Sequence, residues 1–396
     1  MTDLADHTNL TAEPAPVGER LEAIAQRIGE TVAGPAAYEV DRDARHPHEA
    51  VDALRAEKVL SALVPVERGG MGATITDLSN VVRIISRYCS ATGCVLAMHT
   101  IEVFLLLKYG NTPALQDRID ELVEKQLLIA NANSEAGIGG DVMRSGAALV
   151  PEGDGWRFEK QALAASYALS ADLITSTSRR TPDASETDQA LALFRNQDFE
   201  LEPVGGWDTL GLRGTCSTGL KMRGHVTADD LFPVPFADIA NGGGGQLRHV
   251  LLTAVWTGLA EAALAEAHKA VRKAARREIG STPQSAVRLS EMMTDVQAAR
   301  ATLSAALVEV EQHIIADSLE DIGLIMMLRN VKLVTSTTAV SVATRALQIC
   351  GISGFKRGPE YPLERVIRDA HGGLIMVSND RYLLENAQMM PVRKKI

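Results

Sequence analysis

The chain holds 396 residues, more than one hydrophobic core usually organises, so two or three subdomains are expected. Its 40 basic and 50 acidic side chains leave a net charge of −10, which argues against a nucleic-acid partner because phosphate neutralisation needs a basic face. An apolar share of 46% with only 4% aromatics, and abundant alanine, points to a soluble and mainly helical protein.

The opening MTDLADHTNLTAEPAP is polar and acidic without an apolar core, and reads as a loose tail rather than a signal or transit peptide. From Val17 to Gln126 apolar residues recur at helical spacing, as in Leu21, Ile24 and Ile28, then Leu78, Val82 and Ile85. The greasiest stretch, Cys94 to Leu107, is interrupted by His99 and Glu102 and is too short to span a bilayer, so no membrane span is expected. A helical domain over 17–128 follows.

After Ile129 the pattern changes. Asp154-Gly155 signals a hairpin, with Trp156 and Phe158 in alternation, and Leu173–Thr177, Ala190–Phe194 and Leu220–Val226 read as strands, giving a β-domain over 129–238. The run NGGGGQ, Asn241 to Gln246, reads as a flexible connector. Helical periodicity then returns over 239–396, with a stripe of Leu289, Met292, Val296, Ala299, Leu303, Ala306 and Val310, and predicts an antiparallel four-helix bundle. Helices, then a small sheet, then helices is a segregated order, and no strand runs into GxGxxG, so a Rossmann fold is excluded. The four cysteines, Cys89, Cys94, Cys216 and Cys350, lack metal-ligand or disulfide spacing and suit a reducing cytoplasm.

Six stretches then stand out together: VPVERGGMGATITD (64–77), LAMHT (96–100), NANSEAGIGGD (131–141), WDTLGLRGTCS (207–217), RREIG (276–280) and ATRALQICGISGFKRGPEYPLERVIRD (343–369). Their content and order, over about Leu63 to Gln388, resemble acyl-CoA dehydrogenases. The resemblance implies a helical domain, a β-barrel or sandwich domain and a C-terminal four-helix bundle, with FAD between the last two. It also implies a homotetramer or homodimer, because the family's flavin site is completed by a neighbouring subunit.

Carried over position by position, the resemblance makes Asn131, Asn133, Ser134, Gly139 and Gly140 part of a flavin-contacting element, with the Ser134 hydroxyl near the pyrimidine ring and Ser166 after the family's flavin-covering aromatic, which is here Ala164. Arg276 and Ile279 fall in the family's RxQFG, whose arginine meets the FAD pyrophosphate across the subunit interface, and Gln348, Gly351 and Gly354 fall where a glutamine and glycine backbone meet the FAD of a neighbour. Read on their own, Ser134-Glu135 suits a helix cap and Arg276 a solvated helix charge.

The resemblance fails at the base. The family's glutamate, which takes the α-proton of an acyl thioester while a hydride passes to the flavin, stands a few residues after the closing Arg368-Asp369, in an EGT element that is here Val377-Ser378-Asn379. Asn379 keeps the last place of that element. Other members carry the glutamate on the first long C-terminal helix, at the position of Arg248. Asp380 and His99 are the candidates for a relocated base, although a histidine on an apolar helix is more often a packed core residue. Arg248 reads as an anion binder or as a helix-start charge.

Three functions follow as expectations. The first is FAD-dependent oxidation of an acyl thioester, on CoA or an acyl carrier protein, with an electron-transfer flavoprotein as acceptor. The second is a monooxygenase of the same fold fed by a flavin reductase, which needs no α-proton base. The third is a non-redox relative that keeps the fold.

Overall fold

A computed structural model describes residues 15–138, 141–277 and 282–392. Gly139, Gly140 and Ile279 lie outside the described residues. The N-terminal part consists of α1 (Val17–Ile28), α2 (Gly34–Arg42), α3 (His48–Ala56), α4 (Ile75–Ser86), α5 (Ser90–Tyr109) and α6 (Pro113–Lys125). Thr74 and Asp77 close a capping box at the start of α4, each side chain accepting from the other's main-chain N–H at 3.1 and 2.9 Å. Apolar residues surround the whole of α5, which accordingly runs through the interior.

By length and composition α5 and the segment Phe236–Ala275 could each cross a membrane, so the expectation that the first is too short is corrected. Ser90–Gly93 and Lys108–Tyr109 extend it to 20 residues, and protein covers 94% of its apolar window.

The middle part is two small sheets, not one. Strands β1 (Ile129–Asn131), β4 (Leu173–Arg179) and β5 (Gln189–Arg195) form one in the order β1-β4-β5; β2 (Val150–Glu152), β3 (Gly155–Ala162), β6 (Glu200–Val204) and β7 (Gly219–Val226) form the other in the order β2-β3-β7-β6. The β2–β3 hairpin turns at Gly153-Asp154, one residue before the sequence signal, because Gly153 supplies the left-handed φ of 61°. Pro203 hid β6, and it sits where proline is tolerated, on an edge strand.

The C-terminal part comprises the short α7 (Phe236–Ile239), α8 (Gly245–Ala275), α9 (Ser285–Ile315), α10 (Ile322–Cys350), the short α11 (Ile352–Phe355), α12 (Leu363–Ile375) and α13 (Asn379–Met389). The stripe from Met292 to Val310 is the buried face of α9. NGGGGQ is not a flexible connector. It is a buried kink leading into α8, where a Cβ on Gly243 (φ 152°) would lie 2.8 Å from the Phe104 ring and one on Gly242 would lie 2.0 Å from the Tyr109 hydroxyl.

Two links tie the parts together, the first of them buried. Asp369 on α12 accepts from the Leu212 amide at 2.6 Å and from the Ser90 hydroxyl, which fastens the bundle to the WDTLGLRGTCS turn and to the start of α5. Arg83 on α4 makes two hydrogen bonds of 3.0 and 2.9 Å to Glu261 on α8, where Gly258 lets the helices approach: a Cβ there would stand 2.4 Å from the Arg83 carbonyl.

Candidate functional site

On the β-domain side, α5 supplies two buried polar residues one turn apart. His99 Nδ1 accepts from the Ile129 amide at 3.1 Å, so Nε2 carries the hydrogen and donates to the Leu60 carbonyl at 2.8 Å. Burial pushes its pKa down to about 4. Glu102 accepts from the Asn131 amide at 2.9 Å and from the Thr175 hydroxyl at 2.8 Å; burial raises its pKa, against the pull of those bonds and of Arg248.

A ledge of hydroxyls lies beyond. Ser134 Oγ donates to the Ala164 carbonyl at 2.7 Å and accepts from the Ala164 amide at 3.0 Å. Thr215 donates to the Leu212 carbonyl at 2.9 Å, so Ser217 must donate to Thr215 at 2.8 Å, and Ser166 must donate to Ser217 at 2.7 Å. The proton of Ser166 is thereby directed inward, and its oxygen is left as an acceptor. No helix follows Ser134-Glu135, so neither is a cap; Glu135 instead accepts from the Gly146 and Ala147 amides, both at 2.9 Å, and from Ser145, shaping the loop after the flavin-like element.

On the bundle side, α12 ends at Ile375, and past its cap Met376 the chain turns through Val377 at φ 52°, a left-handed conformation that is strained for a β-branched residue. Lys332 on α10, 2% exposed, holds the turn by donating to the Val377 carbonyl at 2.6 Å and to Asn379 Oδ1. Asn379 also donates to Ser336 at 3.2 Å. Burial pushes the Lys332 pKa down to about 8. Tyr382 on α13 sits over this clamp, with the Lys332 ammonium 5.5 Å and the Arg329 guanidinium 5.8 Å from its ring centre. His249 on α8 meets the same ring edge-on at 4.7 Å. Burial, then Arg248, Arg329 and Lys332, push the His249 pKa down to about 3, so it is a neutral imidazole. Burial pushes Tyr382 up to about 12, so it is a phenol.

Of the two positions at which a glutamate was expected, Val377 is thus tied through Lys332 to the Tyr382 ring, and Arg248 acts on that tyrosine through its charge. Neither proposed replacement joins them. Asp380 is exposed: on α13 it stands about 200° around the helix from the buried Tyr382, and Val377 precedes the helix, so three-residue spacing does not align them. His99 has both nitrogens engaged inside the core and is a framework residue. Asn379 is held internally by Lys332 and Ser336, and Asn131 by Glu102, so neither has its amide turned to a cofactor in this structure. Asn133 is buried, with Oδ1 unpartnered among the described residues.

The remaining positions fall elsewhere. Arg276 is exposed at the end of α8. Gln348 lines a groove of about 520 Å³ with Gln284, Ser285, Arg288 and Glu291, and Gly351 takes φ 59° and ψ −139° with open space where a Cβ would lie. Among the described residues no hydrogen bond joins this group to the hydroxyl ledge. Sequence reasoning missed Lys332, Tyr382 and Ser217. For Lys332 a signal existed: it lies among Leu328, Val331, Thr335 and Ala339, the buried face of α10.

Two family profiles match the chain, "Acyl-CoA dehydrogenase, N-terminal domain" over residues 18–144 and "Acyl-CoA dehydrogenase, C-terminal domain" over 247–378. The chain belongs to the acyl-CoA dehydrogenase family. Among relatives within it, cyclohex-1-ene-1-carbonyl-CoA dehydrogenase of Syntrophus aciditrophicus is 26% identical over 342 residues, covering 85% of this chain and 80% of the relative. The amino sugar nitrososynthase RubN8 of Streptomyces rubradiris is 29% identical over 394 residues, covering 92% and 87%. The FMN-bound structure of TdsC from Paenibacillus sp. A11-2 superposes with a TM-score of 0.80 at 18% identity, covering 94% of this chain and 97% of that one. The fold is therefore that of the acyl-CoA dehydrogenases, shared by relatives of more than one chemistry.

A flavin suits the residues present. Ser166 offers a free acceptor, the Ser134–Ala164 pair offers main-chain and hydroxyl groups beside it, and the left-handed Gly137 (φ 93°) has no neighbour within 4 Å of its Cβ direction. Hydroxyls and open main chain of this kind fit a ring edged with N–H and C=O groups.

Proposed function

We propose that this protein is a flavin-dependent monooxygenase that receives its flavin already reduced. One observation carries the reading: Lys332 holds the Val377 carbonyl and lies over the Tyr382 ring, Arg248 is the foremost charge acting on the same tyrosine, and no unengaged carboxylate stands there among the described residues. Glu385 is tied to Arg329 at 2.6 Å, and Glu102 to Asn131 and Thr175. Abstraction of the α-proton of a thioester needs a carboxylate, whereas an arginine stays protonated throughout the working range. Reduced flavin, when bound, supplies the two electrons that oxygen insertion consumes. This chain's part is to hold the acceptor against Tyr382 and His249 and to keep the site dry, for which the buried Trp256 beneath Gly373 is suited. The nitrososynthase relative and the fold of TdsC, a dibenzothiophene monooxygenase, support this reading.

FAD, rather than FMN, is the proposed form, because Gln348, Gly351 and the adjoining groove provide a second place for a nucleotide half. Exposed Ile352 and Phe355 beside Gly351 support a homo-oligomer in which that place meets a neighbour's flavin. A flavin reductase is the proposed partner.

Thioester dehydrogenation is the second reading, favoured by one feature: Glu102 is a buried carboxyl of raised pKa in the field of Arg248. Anaerobic mixing of the FAD-loaded protein with a panel of acyl-CoA thioesters separates the two. Unchanged flavin absorbance, together with oxygen uptake when a reductase and an acceptor are supplied, is expected; bleaching by a thioester overturns the monooxygenase.

A further inference from the structure

The α8/α10/α13 site has more donors than acceptors. Arg248 is half-buried and, among the described residues, has no ion-pair or hydrogen-bond partner. Two further donors share its surroundings. Tyr382 is 5% exposed and His249 8% exposed, and neither the phenol nor the imidazole has a hydrogen-bond partner among the described residues. Arg248 is the foremost charge acting on both.

The other cations nearby are satisfied. Lys332 is held by Val377 and Asn379, and Arg329 by Glu385. Glu102 is within the field of Arg248 but outside ion-pair distance, and its oxygens already accept from Asn131 and Thr175. A half-buried guanidinium, with a phenol and an imidazole that meet edge-on and have no protein acceptor among the described residues, forms an incomplete hydrogen-bonding set, which a group bringing lone pairs and negative charge would complete.

We propose that this site binds an oxyanion of the substrate, a carboxylate or a phosphate, on Arg248, with Tyr382 and His249 as neutral donors beside it. The proposal rests on the assignment of this site as the place of reaction, and it makes Arg248 the residue that selects charged over neutral substrates.

The test is a binding measurement without reductant or oxygen turnover. Calorimetric titration of the FAD-loaded full chain with propionate, with its neutral isostere propionamide and with inorganic phosphate is expected to show one of the anions binding at least tenfold more tightly than propionamide. Which anion does so distinguishes a carboxylate from a phosphate group. Arg248→Met is expected to abolish the difference, Arg248→Lys to retain part of it as a point charge without the planar fork, and Tyr382→Phe to weaken the anion several-fold while leaving propionamide unchanged. Each variant is first checked for an unaltered urea midpoint, and Tyr382→Phe, which deletes one hydroxyl, keeps the test decisive if Arg248→Met unfolds. Equal binding of propionate, phosphate and propionamide, or a preference that survives Arg248→Met, overturns the proposal. A protein that selects anions yet takes up no oxygen keeps this inference and loses the monooxygenase reading.

Discussion

The β-domain ledge and the bundle site face the same chemistry with opposite resources. The ledge is made of hydroxyls and main-chain groups whose hydrogens are already directed inward, as in the Thr215–Ser217–Ser166 chain, so it offers acceptors. The bundle site is made of Arg248, His249, Lys332 and Tyr382 and offers donors and positive charge. The ledge holds residues that the resemblance matched to a flavin-contacting pattern, and the bundle side holds the Val377 and Arg248 that it matched to the family's glutamate. The difference teaches that two polar regions of one fold can be built for opposite partners, the first for a group that donates hydrogens and the second for one that accepts them.

Acid breaks the two regions unequally. His249 and His99 both have folded pKa values, about 3 and about 4, below their ordinary 6.5, so each contributes stability that is complete above pH 6.5 and lost as pH falls towards the folded value. The span corresponds to up to about 5 kcal/mol for His249 and about 3 for His99. Urea unfolding between pH 7 and 3 is expected to show the larger relief of acid sensitivity in His249→Asn, the difference from His99 opening below pH 4; equal curves for wild type and that variant would remove the neutral imidazole from the account of the bundle site.

Lys332→Met comes next, with an expected loss of about 2 kcal/mol in urea unfolding at pH 7, because the Val377 carbonyl and Asn379 lose their buried donor and the left-handed turn loses its clamp. Its effect should stay on the bundle side and leave the affinity for oxidised FAD within threefold. Wild type should itself become more stable as pH rises from about 8 towards 10.5, since the lowered pKa of Lys332 penalises its charged form below that window. A lysine holding its ordinary pKa by NMR titration would contradict this.

Gly351→Ala is expected to cost about 1–2 kcal/mol through backbone strain alone, because φ 59° with ψ −139° excludes a Cβ although nothing nearby would clash with it. The smallest effect belongs to Ser217→Ala, at about 1 kcal/mol or less in stability. It releases the Ser166 proton, turning an acceptor into a donor, so the midpoint potential of the bound flavin should move while the anion preference at Arg248 does not. A potential that stays put would show that Ser166 is no part of the ring's surroundings.

Much of the architecture was legible because periodicity is local. The stripe on α9, the alternation in β3 and the switch of period near Ile129 carry their own physical signature. Legibility failed where a local signal had two meanings: four consecutive glycines suit a loose linker or a close-packed kink, and only Phe104 and Tyr109, more than a hundred residues away, decide for the kink. His99 likewise became a framework residue only once Leu60 and Ile129 were seen to take its two nitrogens.

By itself the sequence determined that this is a helix–sheet–helix chain, with a resemblance that implies a flavin and matches Val377 and Arg248 to the family's glutamate. The tertiary structure alone decided that a buried Lys332 links the Val377 turn to Tyr382 and that Arg248 is left without a partner among the described residues. Periodicity and motifs are properties of neighbours along the chain, whereas the charge state, hydrogen-bond direction and free valence of a side chain are set by what packs against it from elsewhere in the fold.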